Sequence, residues 1–560
     1  CLADGVLPLW NPHNGLGQPF LANGQAAVFY PVSWLRAALP DGFGLMLALW
    51  LKAVLAALFT HLFLRRLKIG LAAAAAGGVA FAFLPHFIAW NLWPQTSSEM
   101  WIPLVLCLAT AYADEGRARH GWWLALALAL QLFAGQPQTW ALTLPLAAAW
   151  FLWRRWDRRD LRGTLTALGK FLSFCLAGAA LGAIQLLPFL EYLRGSYAFA
   201  LRSRINPSLT PPGHLLHQLV PAFFGDTVTG NHWAWTGEMN YYLYAGIPVL
   251  LLALLAAFRR EHRRETFFWL ALAAGFWLLF FRWPARFWNA VLDATPLGSV
   301  GFVKLIIFYN LGLIVPAARA LDGWAWARDR RRLGLLASSL SAAALAGLWF
   351  YSDFIRALDL SGYLAWQYAA FFLVLGGTVL ALWKWNPSRR GLAFALLLAV
   401  VFADLWHAGR IFVYSAPAEG LFPGRAELRD FVRQTPDPPR AMGPDLPPEV
   451  NLVYGVDGID GYDAMTPIRT WRLLAWLEPP GSRLYRVEEP DAASLRRVDS
   501  GTLARRQLKR LFEIYGRARL AEVLDAPGNA RVQAVGDPDL AALARLGWEV
   551  RRRGNEKPEG

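Results

Sequence analysis

The sequence predicts a polytopic α-helical membrane protein, about twelve transmembrane helices long, followed by a small extracytoplasmic α+β domain. Three observations lead there. The 560 residues are 56% hydrophobic, with a mean hydropathy of +0.31. Apolar stretches close to the roughly twenty residues needed to cross a bilayer recur as far as Val413. The loops between those stretches alternate between basic and nearly uncharged.

The apolar segments are read as 44–64, 71–90, 99–113, 121–135, 137–153, 168–190, 241–258, 266–281, 301–320, 333–351, 362–383 and 391–413. Positive charge returns after every second crossing. Arg65, Arg66 and Lys68 come first, then Arg117 and Arg119, then the run RRWDRRDLR at 154–162. RREHRR at 259–264 follows, then Arg328, Arg330, Arg331 and Arg332, then Lys384, Arg389 and Arg390. The 91–98 loop and the turn Gly135-Gln136-Pro137-Gln138 contain no Lys or Arg. A miscounted helix would break this alternation downstream, so the basic loops are expected inside and the others outside. The net charge of +15 is therefore read as a topology signal, and a nucleic-acid partner is not expected. The 28 Trp and the 14% aromatic content suit interfacial belts.

This divides the chain into a first outer loop at 1–43, a transmembrane region at 44–413 with a large outer loop at 191–240, and an outer domain at 414–560. The last is charged and Pro-rich, as in PDPPRAMGPDLPPE, and long enough to bury a core of its own. The chain begins with Cys1 in the middle of a loop, from which an upstream membrane helix is expected. Cys1, Cys107 and Cys175 have neither metal-ligand spacing nor a disulfide framework.

Unusual residues concentrate on the expected outer face. Glu99, in AWNLWPQTSSEMWIP, is either an ordinary helix N-terminal carboxylate with Ser97 and Ser98 as caps, or a group that binds metal or orients a polar substrate. Gln136 and Gln138 either form a plain turn or line a polar cavity. His86, beside Pro85, is read as a packed or interfacial histidine. In the 191–240 loop, Arg202 and Arg204 lie outside against the charge rule, which suits either lipid headgroups or a bound phosphate. HLLHQLVPAFFG at 214–225 reads as an amphipathic helix lying on the membrane. His214 and His217 are one helical turn apart without an evident third ligand. Lys304, in SVGFVKLIIFYNLG, either snorkels or contacts a phosphate. No charged residue is placed near a helix centre. Walker, dinucleotide and GxSxG motifs are absent, which argues against nucleotide-driven and hydride-transfer chemistry.

LPLWNPHNGLGQPFLANGQAAVFYP at 7–31 resembles the first outer loop of the bacterial YfhO family. Further stretches match in order: LFAGQPQTWALTLP at 132–145, AIQLLPFLEYLRGS at 183–196, GEMNYYLYAGIPVLLLALLA at 237–256 and VNLVYGVDGIDGYDAMTPIRTW at 450–471. The resemblance spans nearly the whole chain, and order and spacing carry it more than any single motif. It implies a GT-C-like fold and a glycosyltransferase that takes sugar from a polyprenyl-phosphate carrier. The acceptor would be a glycan, a glycolipid or a protein, and a divalent cation, Mg or Mn, would be a possible cofactor. The setting would be the bilayer of the bacterial inner membrane. The catalytic acid of such enzymes is expected in the first outer loop, upstream of the WNP stretch. Asp4 is the only acidic residue before PLWNP, and Glu99 and Glu238 complete the candidate carboxylates. Trp10, Asn11, Gln18, Asn23, Gln25, Gln136 and Gln138 are the candidates for sugar contacts; Asn14 belongs with them. Arg202, Arg204 and Lys304 are the candidates for carrier phosphate, although GFVK departs from the Arg-rich pattern expected there. A transporter or flippase of lipid-linked saccharides and a non-catalytic envelope-assembly protein are the rival readings.

Overall fold

In the computed structural model each predicted apolar segment is helical over part or all of its length. The structure describes residues 7–11, 13, 17–157, 159–196, 212–225, 243–281, 283–294, 302–357, 359–385 and 390–413, together with the isolated position 434. The outer domain predicted at 414–560 therefore lies outside the described residues apart from position 434, and Asp4, Asn14, Arg202, Arg204 and Glu238 lie outside them too.

The chain opens with two short antiparallel strands, β1 (Trp10–Asn11) and β2 (Gln18–Pro19), which pair Trp10 with Pro19 and Asn11 with Gln18. Helices follow: α1 (Pro31–Ala37), α2 (Asp41–Arg66), α3 (Leu71–Ala82), α4 (Pro85–Ala89), α5 (Pro94–Glu99) and α6 (Ile102–Glu115). Next come α7 (Ala118–Phe133), α8 (Pro137–Arg155), α9 (Leu161–Leu181), α10 (Ala183–Arg194) and α11 (Ile247–Ala257). The series closes with α12 (Arg263–Phe280), α13 (Ala285–Ala294), α14 (Ile306–Asp322), α15 (Trp326–Phe350), α16 (Ser352–Ala357), α17 (Ser361–Trp383) and α18 (Arg390–Gly409).

Among the described residues five helices are long and apolar enough to cross a membrane: Gly42–Arg66, Leu161–Leu181, Ala327–Phe350, Ser361–Trp383 and Arg390–Phe412. A sixth is reached if α12 and the first part of α13, bent by 92°, are counted as one span. α2 is 26 residues long, about 39 Å at 1.5 Å per residue, more than the roughly 30 Å hydrocarbon core. The other predicted segments are shorter or broken. The 71–90 segment stops at Ala82 and restarts as α4, because Pro85 at the first helical position keeps Leu84 extended. The 168–190 segment breaks at Gly182 between α9 and α10.

α14 is the hub. Its residues are buried from Ile306 through Leu321, the pattern of a helix enclosed on all sides. It packs against α3, α11 and α12, and α2 packs on α3. Small residues in α3 allow this. A Cβ on Gly78 would lie 2.6 Å from the Ala57 carbonyl oxygen of α2, so a larger residue would push the two backbones apart. On α18, Asp404 caps α11 from a distance. It accepts from the Ile247 amide at 2.8 Å and from the Tyr244 hydroxyl at 2.5 Å.

The basic loops meet at one end of this bundle. Arg66, at the end of α2, pairs with Glu115 at 2.7 Å after α6, and Arg154, at the end of α8, pairs with Asp114 at 2.7 Å. Arg319 of α14 donates to the Leu67 carbonyl at 2.7 Å and to Glu265 of α12 at 2.6 Å. Arg259 donates to Asp329 at 2.5 Å, and both side chains are buried. Trp324, beyond α14, donates to the Leu382 carbonyl of α17 at 3.0 Å. A cavity of about 70 Å³ lies at this end among Arg259, Glu261, His262, Thr266, Arg319 and Asp322. The arginines that recur along the sequence thus meet carboxylates of neighbouring helices and loops at this end.

The 214–225 stretch departs from its expected form. It is a 3₁₀ turn (Pro212–Gln218) followed by buried residues Leu219, Val220, Ala222, Phe223 and Phe224, rather than an amphipathic helix on the membrane. The apolar residues are spent on packing inside the fold. The Tyr363 hydroxyl donates to the Ala222 carbonyl at 2.9 Å, and the Tyr351 ring meets Phe224 edge-on.

Two outcomes are expected at the basic end. Asp329→Ala leaves the Arg259 guanidinium buried without its carboxylate, and a loss of about 3–5 kcal/mol is expected in thermal or denaturant unfolding in detergent. Hydrogen bonds from His120, then Arg66, hold the exposed Glu115 carboxylate down from 4.5 to about 2. A carboxylate depressed in the folded state adds stability above its ordinary value and loses it as the pH falls through the depressed one. Acid loosening of the α6–α7 turn is therefore expected between pH 4.5 and about 2. Glu115→Gln should remove that part of the response, measured by hydrogen exchange.

Candidate functional site

The opposite end of the bundle holds a buried polar cluster built from α4, α5 and the turn at 302–305. Pro85 and Pro94 start two helices of five and six residues, so the chain folds inward between α3 and α6 instead of looping outside. That inward path carries His86, Gln95 and Glu99 into the interior, where all three are at most 1% exposed.

Glu99 is the centre. His86 Nε2 lies 3.1 Å from one carboxylate oxygen and 3.0 Å from the other, and 3.3 Å from the Gln95 amide nitrogen, within hydrogen-bond distance of all three. The Gln95 amide nitrogen donates to Glu99 Oε1 at 2.7 Å, and its oxygen accepts from Lys304 Nζ. Residues 95 and 99 share one helix face, which lets Gln95 relay between ammonium and carboxylate. The Lys304 ammonium also lies 5.3 Å from the centre of the Trp90 ring. The neighbouring Ser98 Oγ donates to the Gln131 carbonyl of α7 at 3.0 Å. The Gln131 amide returns the contact to the Ser98 carbonyl at 3.2 Å and reaches Thr143 of α8 at 2.9 Å. Gln131 Oε1, Thr139 Oγ1 and Trp140 Nε1, on the same α7–α8 wall, are buried without a hydrogen-bond partner among the described residues.

Below the turn between α4 and α5 sits Lys52 of α2. Its ammonium donates to the Asn91 carbonyl at 2.5 Å, to Thr96 Oγ1 at 3.2 Å and to the Trp93 carbonyl at 3.3 Å. Lys52 is well inside a long span, which corrects the expectation that no charge lies near a helix centre.

The opening loop packs over this region and is held locally. Gly135 explains how closely: its φ is +100°, and a Cβ there would lie 2.8 Å from Pro94 and 3.2 Å from Ala27. Tyr30 is buried and its hydroxyl accepts from Trp101 Nε1 at 3.3 Å; burial pushes its phenol up to about 12. Of the candidate sugar contacts, Asn11 accepts from the His13 amide at 3.0 Å and Asn23 from the Gln25 amide at 3.0 Å. Those two side chains shape turns. Gln18 is buried in the strand pair, Trp10 is 55% exposed, and Gln25 is partly buried. Gln136 is buried before α8, where its carbonyl accepts from Ser98 Oγ at 3.5 Å, and Gln138 is partly buried.

Glu99 and Lys304 are thus the two expected site residues that the fold joins through one network, with Gln136 at its edge. His86, Gln95 and Lys52 complete it; His86 was expected as a packed or interfacial histidine, and Gln95 and Lys52 were not singled out in the sequence. The sequence signal is the pair of prolines at the starts of the two short helices, Pro85 just before His86 and Pro94 between His86 and Glu99, which lets the chain turn back. His214 and His217 are buried and stacked at 5.1 Å beside Phe224, in a separate aromatic cluster. Among the described residues no group of three or more His, Cys, Asp and Glu converges as a metal site. Glu99 is the one carboxylate among the described residues of this cluster; the other candidate carboxylates, Asp4 and Glu238, lie outside the described residues.

Gln95→Leu and Lys304→Met both remove the relay between ammonium and carboxylate. Their effects on unfolding in detergent are expected to be non-additive by about 0.5–3 kcal/mol in a double-mutant cycle. Additive effects would mean that Lys304 and Gln95 act separately. No protein-family model, no curated protein and no solved structure matches the chain.

Proposed function

We propose that the protein is a glycosyltransferase of the bacterial inner membrane, moving a sugar from a polyprenyl-phosphate carrier to an acceptor hydroxyl on the outer face. The observation that carries this reading is the buried Glu99–His86 pair, linked through Gln95 to Lys304 at the end of the bundle opposite the arginine-rich one. The resemblance of the 7–31 loop and the later stretches to the YfhO family supports it. In this reading the basic end faces the cytoplasm, the remaining predicted helices complete a GT-C-like membrane domain, and the 414–560 domain is extracytoplasmic.

The chemistry follows from the residue types. The Glu99 carboxylate, oriented by His86, takes the proton of the acceptor hydroxyl as general base. The acceptor oxygen forms its bond to the anomeric carbon, and the bond from that carbon to the carrier phosphate oxygen breaks. The electron pair leaves on the phosphate, where the Lys304 ammonium offsets the developing charge. Glu99 has no exposed surface, so the Lys304–Gln95 contact parts when the donor arrives. Gln131 Oε1, on the side chain bonded to the Ser98 carbonyl beside Glu99, supplies an acceptor for a sugar hydroxyl. Buried charges within spans, Lys52 and Asp404, favour transport of a lipid-linked saccharide as the second reading.

Membranes containing the protein, given a polyprenyl-phosphate sugar, are expected to transfer label to an acceptor. Glu99→Gln should lower the rate by about 10²–10⁴-fold, the share of a general base. Full transfer by Glu99→Gln would remove this site, and carrier movement across vesicles without glycosidic bond formation would favour transport.

A further inference from the structure

We infer that Lys52 is a positioning residue for the Glu99 site: its ammonium holds the turn between α4 and α5 at the depth where Glu99 meets His86 and Lys304. This role in catalysis rests on the reading of that cluster as a reaction centre; its hold on the turn does not.

The geometry assigns it. Lys52 lies about 16 Å along α2 from Asp41, at 1.5 Å per residue. Its side chain is buried in a helical bundle of membrane-crossing length, where an ammonium without acceptors is costly. An ammonium has three protons to donate. Lys52 has three acceptors, the Asn91 and Trp93 carbonyls and Thr96 Oγ1. The two carbonyls lie between the helices α4 and α5, where the helical ladder does not use them. Thr96 closes the turn on itself, since its hydroxyl donates to the Trp90 carbonyl at 2.9 Å. One cation thus gathers the segment from Trp90 to Thr96. Directly attached to that segment are Gln95, which bonds Glu99 and Lys304, and Trp90, whose ring faces Lys304. Lys52 touches neither Glu99 nor His86 by hydrogen bond, so it acts through the turn. A neutral side chain of the same length would take the ammonium from the Asn91 carbonyl and leave the Trp93 carbonyl with only the Thr96 hydroxyl at 3.3 Å, which loosens the turn.

Hydrogen exchange on the whole chain in detergent tests the hold on the turn. In Lys52→Met, amides of residues 90–96 are expected to exchange at least about tenfold faster, with those of α11 and α14 unchanged. Lys52→Arg keeps charge and donors and should stay within about threefold of wild type. Thr96→Val removes one acceptor and should give a smaller rise in the same segment, which preserves the test if Lys52→Met does not fold. Wild-type exchange at 90–96 in Lys52→Met, or a rise spread evenly over the bundle, overturns the inference. In the transfer assay with a polyprenyl-phosphate sugar, Lys52→Met should lower kcat and leave the donor KM within about threefold. An unchanged kcat overturns the positioning role. A wild-type chain that transfers no sugar overturns the reading of the site alone, and localised exchange then still supports Lys52 as the residue that holds the turn.

Discussion

A carboxylate with no exposed surface has to find hydrogen-bond donors inside the protein, and Glu99 finds them in His86 and Gln95. Much of the local architecture follows from that requirement. Donors must come from both sides of the carboxylate. The chain supplies them by stopping α3, starting again at Pro85, turning, and starting once more at Pro94. That path exposes turn carbonyls in the interior, which themselves need donors. Lys52 provides them. Each polar group placed in the interior thus obliges another, until the network reaches Lys304 on one side and Gln131 and Thr143 on the other. Such a network is stable when complete and fragile when one member is removed.

The same rule operates at the basic end with a different result. There the arginines of the loops meet Asp114, Glu115, Glu265 and Asp329, so the residues that signal topology also join the helices to one another. Arg319 links α14 to the turn after α2 and to α12, which fixes the hub helix at its C-terminal end. At the other end Asp404 fixes α11 through the Ile247 amide. The apolar contact between α3 and α14 lies between these polar clamps, where small side chains allow close approach. Rigid ends around a closely packed middle give a scaffold that can hold a charged cluster in one geometry.

Much of the helical plan was legible from composition and charge order. The breaks within segments were less so, because Pro85, Pro94 and Gly182 act through backbone conformation and leave apolar content almost unchanged. Hydropathy therefore joined 71–90 into one span where the chain makes two helices. The 214–225 stretch failed for a related reason. Its apolar residues suit a membrane surface and a protein interior equally, and the partners that settle the matter, Tyr351 and Tyr363, lie more than a hundred positions away in sequence. In the first loop, Asn11 and Asn23 looked available for a sugar, yet short-range contacts to backbone amides occupy them.

What the sequence determined by itself was the class of protein, a chain of apolar helices joined by recurring basic loops, because that rests on properties summed over many residues: apolar length and the placement of Arg and Lys. What only the tertiary structure decided was which polar residues share one interior. Glu99 was recognisable as unusual, but its pairing with His86, the relay through Gln95 to Lys304 and the support from Lys52 depend on three separate segments arriving at one point. Hydrogen bonds act over about 3 Å. Composition and spacing carry no information at that range until the chain has folded.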